Sequence, residues 1–199
     1  MYRFALACLV TLSIPAVEAV AFVPMPMSAE TRPAPAAARS RVAQAQQSPA
    51  RRSPHETTTG TVDGATVKIS YGRPFMRGRR IMGELVPFGY VWRLGADEAT
   101  ELSTSADLMF GTYRLKAGTY SLFAKPEKDA WALIINAGTG MSGLEREPSR
   151  DLTSLTAKPA SLTAPVEQLT LEIVDTPAGG AITLRWEKTE VTFPFTVAK

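Results

Sequence analysis

The chain predicts an all-β protein: a single β-sandwich of jelly-roll or immunoglobulin-like type, carrying one long packed loop rich in Arg and Gly. Three observations lead there. Apolar and polar residues alternate in short runs along the C-terminal part of the 199 residues, turn-forming residues separate those runs, and no apolar repeat at helical spacing lasts three turns. Each alternating run offers one face to a core, as a half-buried strand does.

Two segments of a different kind precede the strands. Met1-Tyr2-Arg3 is a short positive start, Phe4 to Val17 is an apolar run interrupted only by Thr11, Ser13 and Pro15, and Val17-Glu18-Ala19 or Ala19-Val20-Ala21 supplies small residues for cleavage. This pattern predicts a signal peptide over residues 1–21 and export to the periplasm or the extracellular space. The apolar run is shorter than the ~20 residues a bilayer requires, so no transmembrane segment is expected in the mature chain. Cys8 lies inside that run, too early and with only Ala5 three positions upstream, so lipidation is not expected and the single cysteine leaves with the signal. Residues 22–54 are rich in Pro, Ala, Ser and Gln without periodic apolar positions, which predicts a disordered tether.

The strands follow from residue 55. Thr57–Val62 and Ala65–Tyr71 flank Asp63-Gly64, a two-residue hairpin turn in which Gly accepts positive φ. Trp131, Leu133 and Ile135 mark another strand, and Pro126 to Asp129 reads as the turn before it. Leu169, Leu171 and Ile173 alternate with polar residues, as do Ile182, Leu184 and Trp186, with Ala178 to Gly180 as the turn between. Val191, Phe193, Phe195 and Val197 mark the last strand, where Pro194, lacking an N–H, predicts an edge position or a bulge.

Composition excludes several chemistries. One His and one Cys cannot supply the usual zinc ligand sets, and His55, at the junction of tether and domain, is poorly placed for a Ser-His-Asp triad. The sequence pI near 9.1 belongs to the N-terminal segments. Six of the 22 basic residues (Arg3, Arg32, Arg39, Arg41, Arg51 and Arg52) and only Glu18 and Glu30 of the 19 acidic ones lie before residue 55, leaving 16 basic against 17 acidic. A near-neutral domain argues against nucleic-acid binding. No metal and no cofactor is expected, because no D-x-[DN]-x-[DN]-G loop, no G-x-G-x-x-G and no Walker pattern occurs.

Between Tyr71 and Thr100 the alternation fails. Gly72, Pro74, Gly78, Gly83, Pro87, Gly89 and Gly95 force turns, while Phe75, Ile81, Leu85, Val86, Phe88 and Val91 anchor the segment to the scaffold. Loops of that length commonly carry function. Five Arg residues (Arg73, Arg77, Arg79, Arg80 and Arg93) fall here beside Tyr71, Tyr90 and Trp92. Guanidinium forks bind carboxylate, phosphate or sulfate and stack on aromatic rings.

Several of these motifs carry a resemblance. Ser70-Tyr71-Gly72-Arg73-Pro74, Arg77-Gly78-Arg79-Arg80-Ile81-Met82-Gly83, Leu85-Val86-Pro87-Phe88-Gly89-Tyr90-Val91-Trp92-Arg93, Gly95-Ala96-Asp97-Glu98-Ala99-Thr100 and Ala117-Gly118-Thr119-Tyr120-Ser121-Leu122-Phe123 occur in that order, followed by Trp186-Glu187-Lys188-Thr189. Together they resemble the bacterial family catalogued as domain of unknown function 2911, from about His55 to Val197. The resemblance implies an exported β-rich domain and no activity. The family pattern usually has Asn where this chain has Asp97 and Phe where it has Met82, so no role is carried onto Asp97.

The candidate ligand-binding residues are Arg73, Arg79, Trp92, Arg93 and Glu98. Arg recognises an anion or hydroxyls, Trp92 stacks, and Glu98 orients an Arg or accepts a ligand hydroxyl. The expected partner is a small anionic or sugar-like ligand or an envelope protein. A competing role is structural: Arg73 and Arg93 would pin the loop through backbone carbonyls or through Asp97, Glu98 and Glu101. A second alternative is an envelope hydrolase using Glu98 with Asp97 or Glu101; no catalytic residue is assigned. Trp131 and Trp186, on alternating strand positions, are expected in the core.

Overall fold

The computed structural model describes residues 53–199; the expected signal peptide and residues 22–52 of the expected tether lie outside them. Its first hairpin joins β1 (His55–Val62) and β2 (Ala65–Gly72) through Asp63-Gly64, both with positive φ, 46° and 81°. That geometry gives the turn the twist of its flanking strands. Val67, Ile69 and Tyr71 are buried on one side of β2, as their alternation predicts.

The remaining strands are β3 (Thr100–Thr104), β4 (Leu108–Phe110), β5 (Tyr113–Leu115), β6 (Gly118–Pro126), β7 (Trp131–Asn136), β8 (Asp151–Ala157), β9 (Ala160–Thr176) and β10 (Gly179–Val197). They form two antiparallel sheets, ordered β1-β2-β3-β6-β7-β8 and β5-β4-β10-β9. The protein is all-β; a single 3-10 turn, Pro148–Arg150, is the one helical element among the described residues. No helix among them is long and apolar enough to cross a membrane. One apolar cluster draws on both sheets, for example Val67 and Ile69 from the first and Leu171 and Leu184 from the second. A smaller cluster of Ala99, Phe123 and Ile134 with Met141 lies beneath the β7–β8 connection.

The two runs expected at 182–186 and 191–197 are one strand. Apolar positions change parity along β10, from Ile182, Leu184 and Trp186 to Val191, Phe193 and Phe195, all buried. A change of parity requires a bulge. The register against β9 shifts on both sides of Glu187, whose φ is 54°. Pro194 falls beyond the last β9 partner, Ala160 opposite Glu190, and before the first β4 partner, Met109 opposite Thr196. Its missing N–H therefore interrupts neither ladder. The β9–β10 turn is Pro177-Ala178, slightly earlier than expected, with Thr176 opposite Gly179.

Beyond Gly72 the chain leaves the first sheet and runs beside β9 of the second. Pro74 O accepts from Leu169 N at 3.0 Å, Met76 N donates to Glu167 O at 2.7 Å, and Phe75 bridges Gln168. Side chains secure the crossing. Tyr71 Oη accepts the Leu171 N–H at 2.9 Å, and Arg73 donates from Nε to Leu169 O at 2.8 Å, from Nη2 to Thr170 Oγ1 at 3.0 Å and from Nη1 to Glu56. Burial pushes the Tyr71 phenol above its usual pKa, so it stays protonated.

Two consequences are measurable. Tyr71→Phe removes the acceptor of a buried N–H, and urea denaturation should find the variant less stable by about 1–3 kcal/mol. Asp107, after β3, accepts from Ala117 N at 2.9 Å, Lys116 Nζ at 3.0 Å and Arg114 Nε at 2.9 Å, and these bonds lower its pKa from 3.8 to about 2. A depressed carboxylate stabilises the fold above its unfolded pKa, and that contribution disappears as pH falls through the folded one. Thermal melts should show wild type losing stability between pH ~4 and ~2. Asp107→Asn should melt lower at pH 7 and lack that component of the acid slope.

Candidate functional site

The segment between β2 and β3 is held by isolated bridges. Trp92 exchanges both backbone hydrogen bonds with Ala124, N to O at 2.7 Å and O to N at 2.8 Å. It occupies the place beside β6 that β3, which begins at Thr100 opposite Leu122, does not reach. Ile81, Val86 and Leu94 bury their side chains below the segment.

This arrangement opens a cleft of about 610 Å³. Its floor is the stacked pair Trp92 and Trp186, with ring centroids 5.8 Å apart and planes inclined by 20°. Trp186 is 1% exposed, so one indole belongs to both core and cleft, and its Nε1 donates to Glu167 O at 3.4 Å. Phe75, Arg77, Arg79, Leu85, Val86 and Val91 line it. Arg93 and the turn Gly95-Ala96-Asp97 close it with Gly143 and Leu144 of the β7–β8 connection.

Backbone strain gathers at the cleft. Arg77 (φ 50°), Leu94 (φ 56°), Asp97 (φ 65°) and Glu187 (φ 54°) adopt left-handed conformations, and Arg77 and Asp97 line the cleft directly. Each such residue costs about 1–3 kcal/mol and persists only where its surroundings over-determine it. Those surroundings are identifiable. Thr100 Oγ1 donates to Leu94 O at 3.0 Å, Arg77 N donates to Glu167 Oε1 at 2.8 Å, Arg93 Nη1 donates to Asp97 O at 3.0 Å, and Glu187 Oε2 accepts from Met82 N at 3.1 Å. Ala96 N donates to Gly72 O at 3.2 Å, an approach so close that a Cβ on Gly72 would sit 2.2 Å from Ala96 O.

Of the residues proposed from sequence, Arg79, Trp92 and Arg93 meet in this cleft. Arg79 commits two donors to its own loop, Nε to Met76 O at 2.9 Å and Nη2 to Phe75 O at 2.6 Å. Arg73 is outside the lining, with its guanidinium engaged by Glu56, Leu169 and Thr170. Glu98 faces a second depression of about 420 Å³ with His55, Ser70, Glu101, Gly140 and Met141. There Glu98 Oε2 lies 3.8 Å from His55 Nδ1, and Glu101 Oε1 accepts from Gly140 N at 2.8 Å. An isolated antiparallel bridge joins Glu98 to Ser142 of the β7–β8 connection. Sequence reasoning named Arg77 without choosing it, and it missed Gly143 and Leu144. Trp131 and Trp186 are both buried as expected.

The Gly72 approach supports a direct test. In Gly72→Ala the added methyl meets a backbone oxygen that cannot rotate away, so the strained turn must move. Overpacking of that kind costs about 1–3 kcal/mol, to be read from urea denaturation.

No curated protein and no solved structure matches the chain. The profile of the family described as Protein of unknown function (DUF2911) matches residues 53–195, covering all ten strands except the last two residues of β10. The crossing at Tyr71, the cleft and the second depression lie inside that span, and the chain belongs to this family.

Proposed function

We propose that this protein is a non-catalytic binding module acting in the periplasm or outside the cell, and that it takes an anionic or carbohydrate-like ligand in the cleft over Trp92. One observation carries this reading: backbone strain is concentrated around a cleft that also holds Arg77, Arg79 and Arg93 over a stacked indole pair. Strain of this kind is selected where it positions groups for a ligand. A cleft of this volume, lined by apolar side chains together with a few convergent polar groups, is of the kind that takes small molecules. Export is supported by the signal-like residues 1–21, and a sandwich architecture by the apolar cluster that the two sheets share.

The hydrolase alternative is weaker. It requires two carboxylates near Trp92, and the cleft lining holds one, Asp97. Glu98 and Glu101 lie in the other depression, where Glu101 accepts a backbone N–H. A purely structural role suits Arg73, whose three guanidinium nitrogens serve the fold, better than it suits the cleft as a whole.

The test is a thermal-shift screen of the purified protein against small carboxylates, phosphorylated metabolites and sugars. A ligand that binds the native state should raise Tm by mass action in wild type and should fail to do so in Trp92→Ala and Arg93→Gln. No shift from any class, with both variants melting as wild type does, would sink the binding reading.

A further inference from the structure

The rim of the cleft has a different chemistry from its floor. Six large hydrophobic residues are exposed among the described residues, and three of them, Leu85 at 45%, Val91 at 42% and Leu144 at 83%, line this one cleft. They come from two chain segments more than 50 positions apart, so the fold assembles the patch. A patch of this kind, bordered by polar groups, marks a contact surface rather than scattered exposure. The cationic groups are interleaved with it. The Arg93 stem packs on Gly143, the residue before Leu144, where an added Cβ would lie 2.2 Å from Arg93 Cδ. Among the described residues Arg93 commits only Nη1, to Asp97 O, and Arg79 keeps Nη1 uncommitted.

We infer that the cleft binds a small anionic amphiphile, with an acidic headgroup on Arg93 and Arg79 and an alkyl or aryl tail over Trp92 leaving between Leu85, Val91 and Leu144. The inference rests on the binding reading above and narrows its ligand. A free guanidinium edge selects an anion that accepts two hydrogen bonds. The branched aliphatic rim selects a tail and offers a sugar nothing, because aliphatic side chains neither exchange hydrogen bonds with hydroxyls nor present a flat ring. Trp92 has one ring face occupied by Trp186, which leaves it a partner for an apolar chain lying across it. Charge complementarity and apolar area together fix the polarity of the ligand along the cleft, with the headgroup at the free guanidinium edges of Arg93 and Arg79 and the tail outward.

The test is a titration of intrinsic Trp fluorescence in the purified full chain, using n-alkyl carboxylates from acetate to decanoate below their micelle concentrations. Inorganic phosphate, N-acetylglucosamine and 1-decanol serve as comparison probes. Affinity should tighten about fourfold per added methylene until the tail clears the rim. Leu144→Ser, a change at a highly exposed site, should flatten that dependence for the longer chains while leaving short carboxylates unaffected. Arg93→Gln should weaken carboxylates of every length and leave decanol unchanged. Saturable binding of phosphate or sugar without a chain-length gain would overturn the amphiphile and keep the binding module. Decanoate binding that is indifferent to both substitutions would place the contact elsewhere and overturn the inference. No saturable response to any probe, together with a silent thermal-shift screen, would overturn both.

Discussion

The structure depends on one crossing of the chain. At residues 71–76 the backbone leaves a six-stranded sheet and becomes the neighbour of β9 in the other sheet. Four consecutive residues divide the work. Tyr71 supplies an acceptor to a buried N–H of β9, Gly72 lets the 94–97 turn approach within a distance no side chain permits, Arg73 satisfies β9 from the side, and Pro74 offers its carbonyl and has no donor to satisfy. Buried backbone groups must be paired, and each of these contacts meets that requirement at the join between sheets. The pairing of Arg73 with the exposed Glu56 adds little by itself, because exposed ion pairs contribute about 0–1 kcal/mol. Its bonds to Leu169 O and Thr170 Oγ1 are what hold the crossing.

The cleft is a by-product of that crossing. Once the segment leaves the first sheet, its return to β3 must cover the exposed end of β6, and Trp92 does so with a pair of ladder bonds to Ala124. The ring of Trp92 so held stacks on Trp186. The four left-handed residues around it would relax if their carbonyls and N–H groups were not individually bound, as those of Leu94, Asp97 and Arg77 are. Strain and the hydrogen bonds that maintain it are therefore one construction.

Much of the fold was legible in the sequence where alternation was regular. Asp63-Gly64 with its flanking strands, the buried faces of β2 and β7, and the core positions of Trp131 and Trp186 follow from period-two patterning and turn chemistry. The strand β8 was not seen, because Leu152 and Leu155 are three apart and neither is fully buried. The unity of β10 was hidden by its bulge, although the even-to-odd change from Trp186 to Val191 was its visible trace. The candidate site was half legible. Residue type and the failure of alternation pointed to Arg79, Trp92 and Arg93, all in one segment. What joins them to Trp186, Gly143 and Leu144 is tertiary contact, which no local pattern encodes. Arg73 illustrates the converse: an Arg in a Gly-rich loop looks the same in sequence whether it faces a ligand or a carbonyl.

The dual membership of Trp186 bears on how such a protein changes over evolutionary time. Its indole is core material, so selection for folding alone keeps that half of the cleft floor in place. The rim is under no such obligation. Exchanging exposed side chains such as Leu144 or Val91 alters stability by roughly half a kcal/mol or less. The rim is thus free to change while the buried indole beneath it is not, and the fold itself separates the residues that can drift from those that cannot.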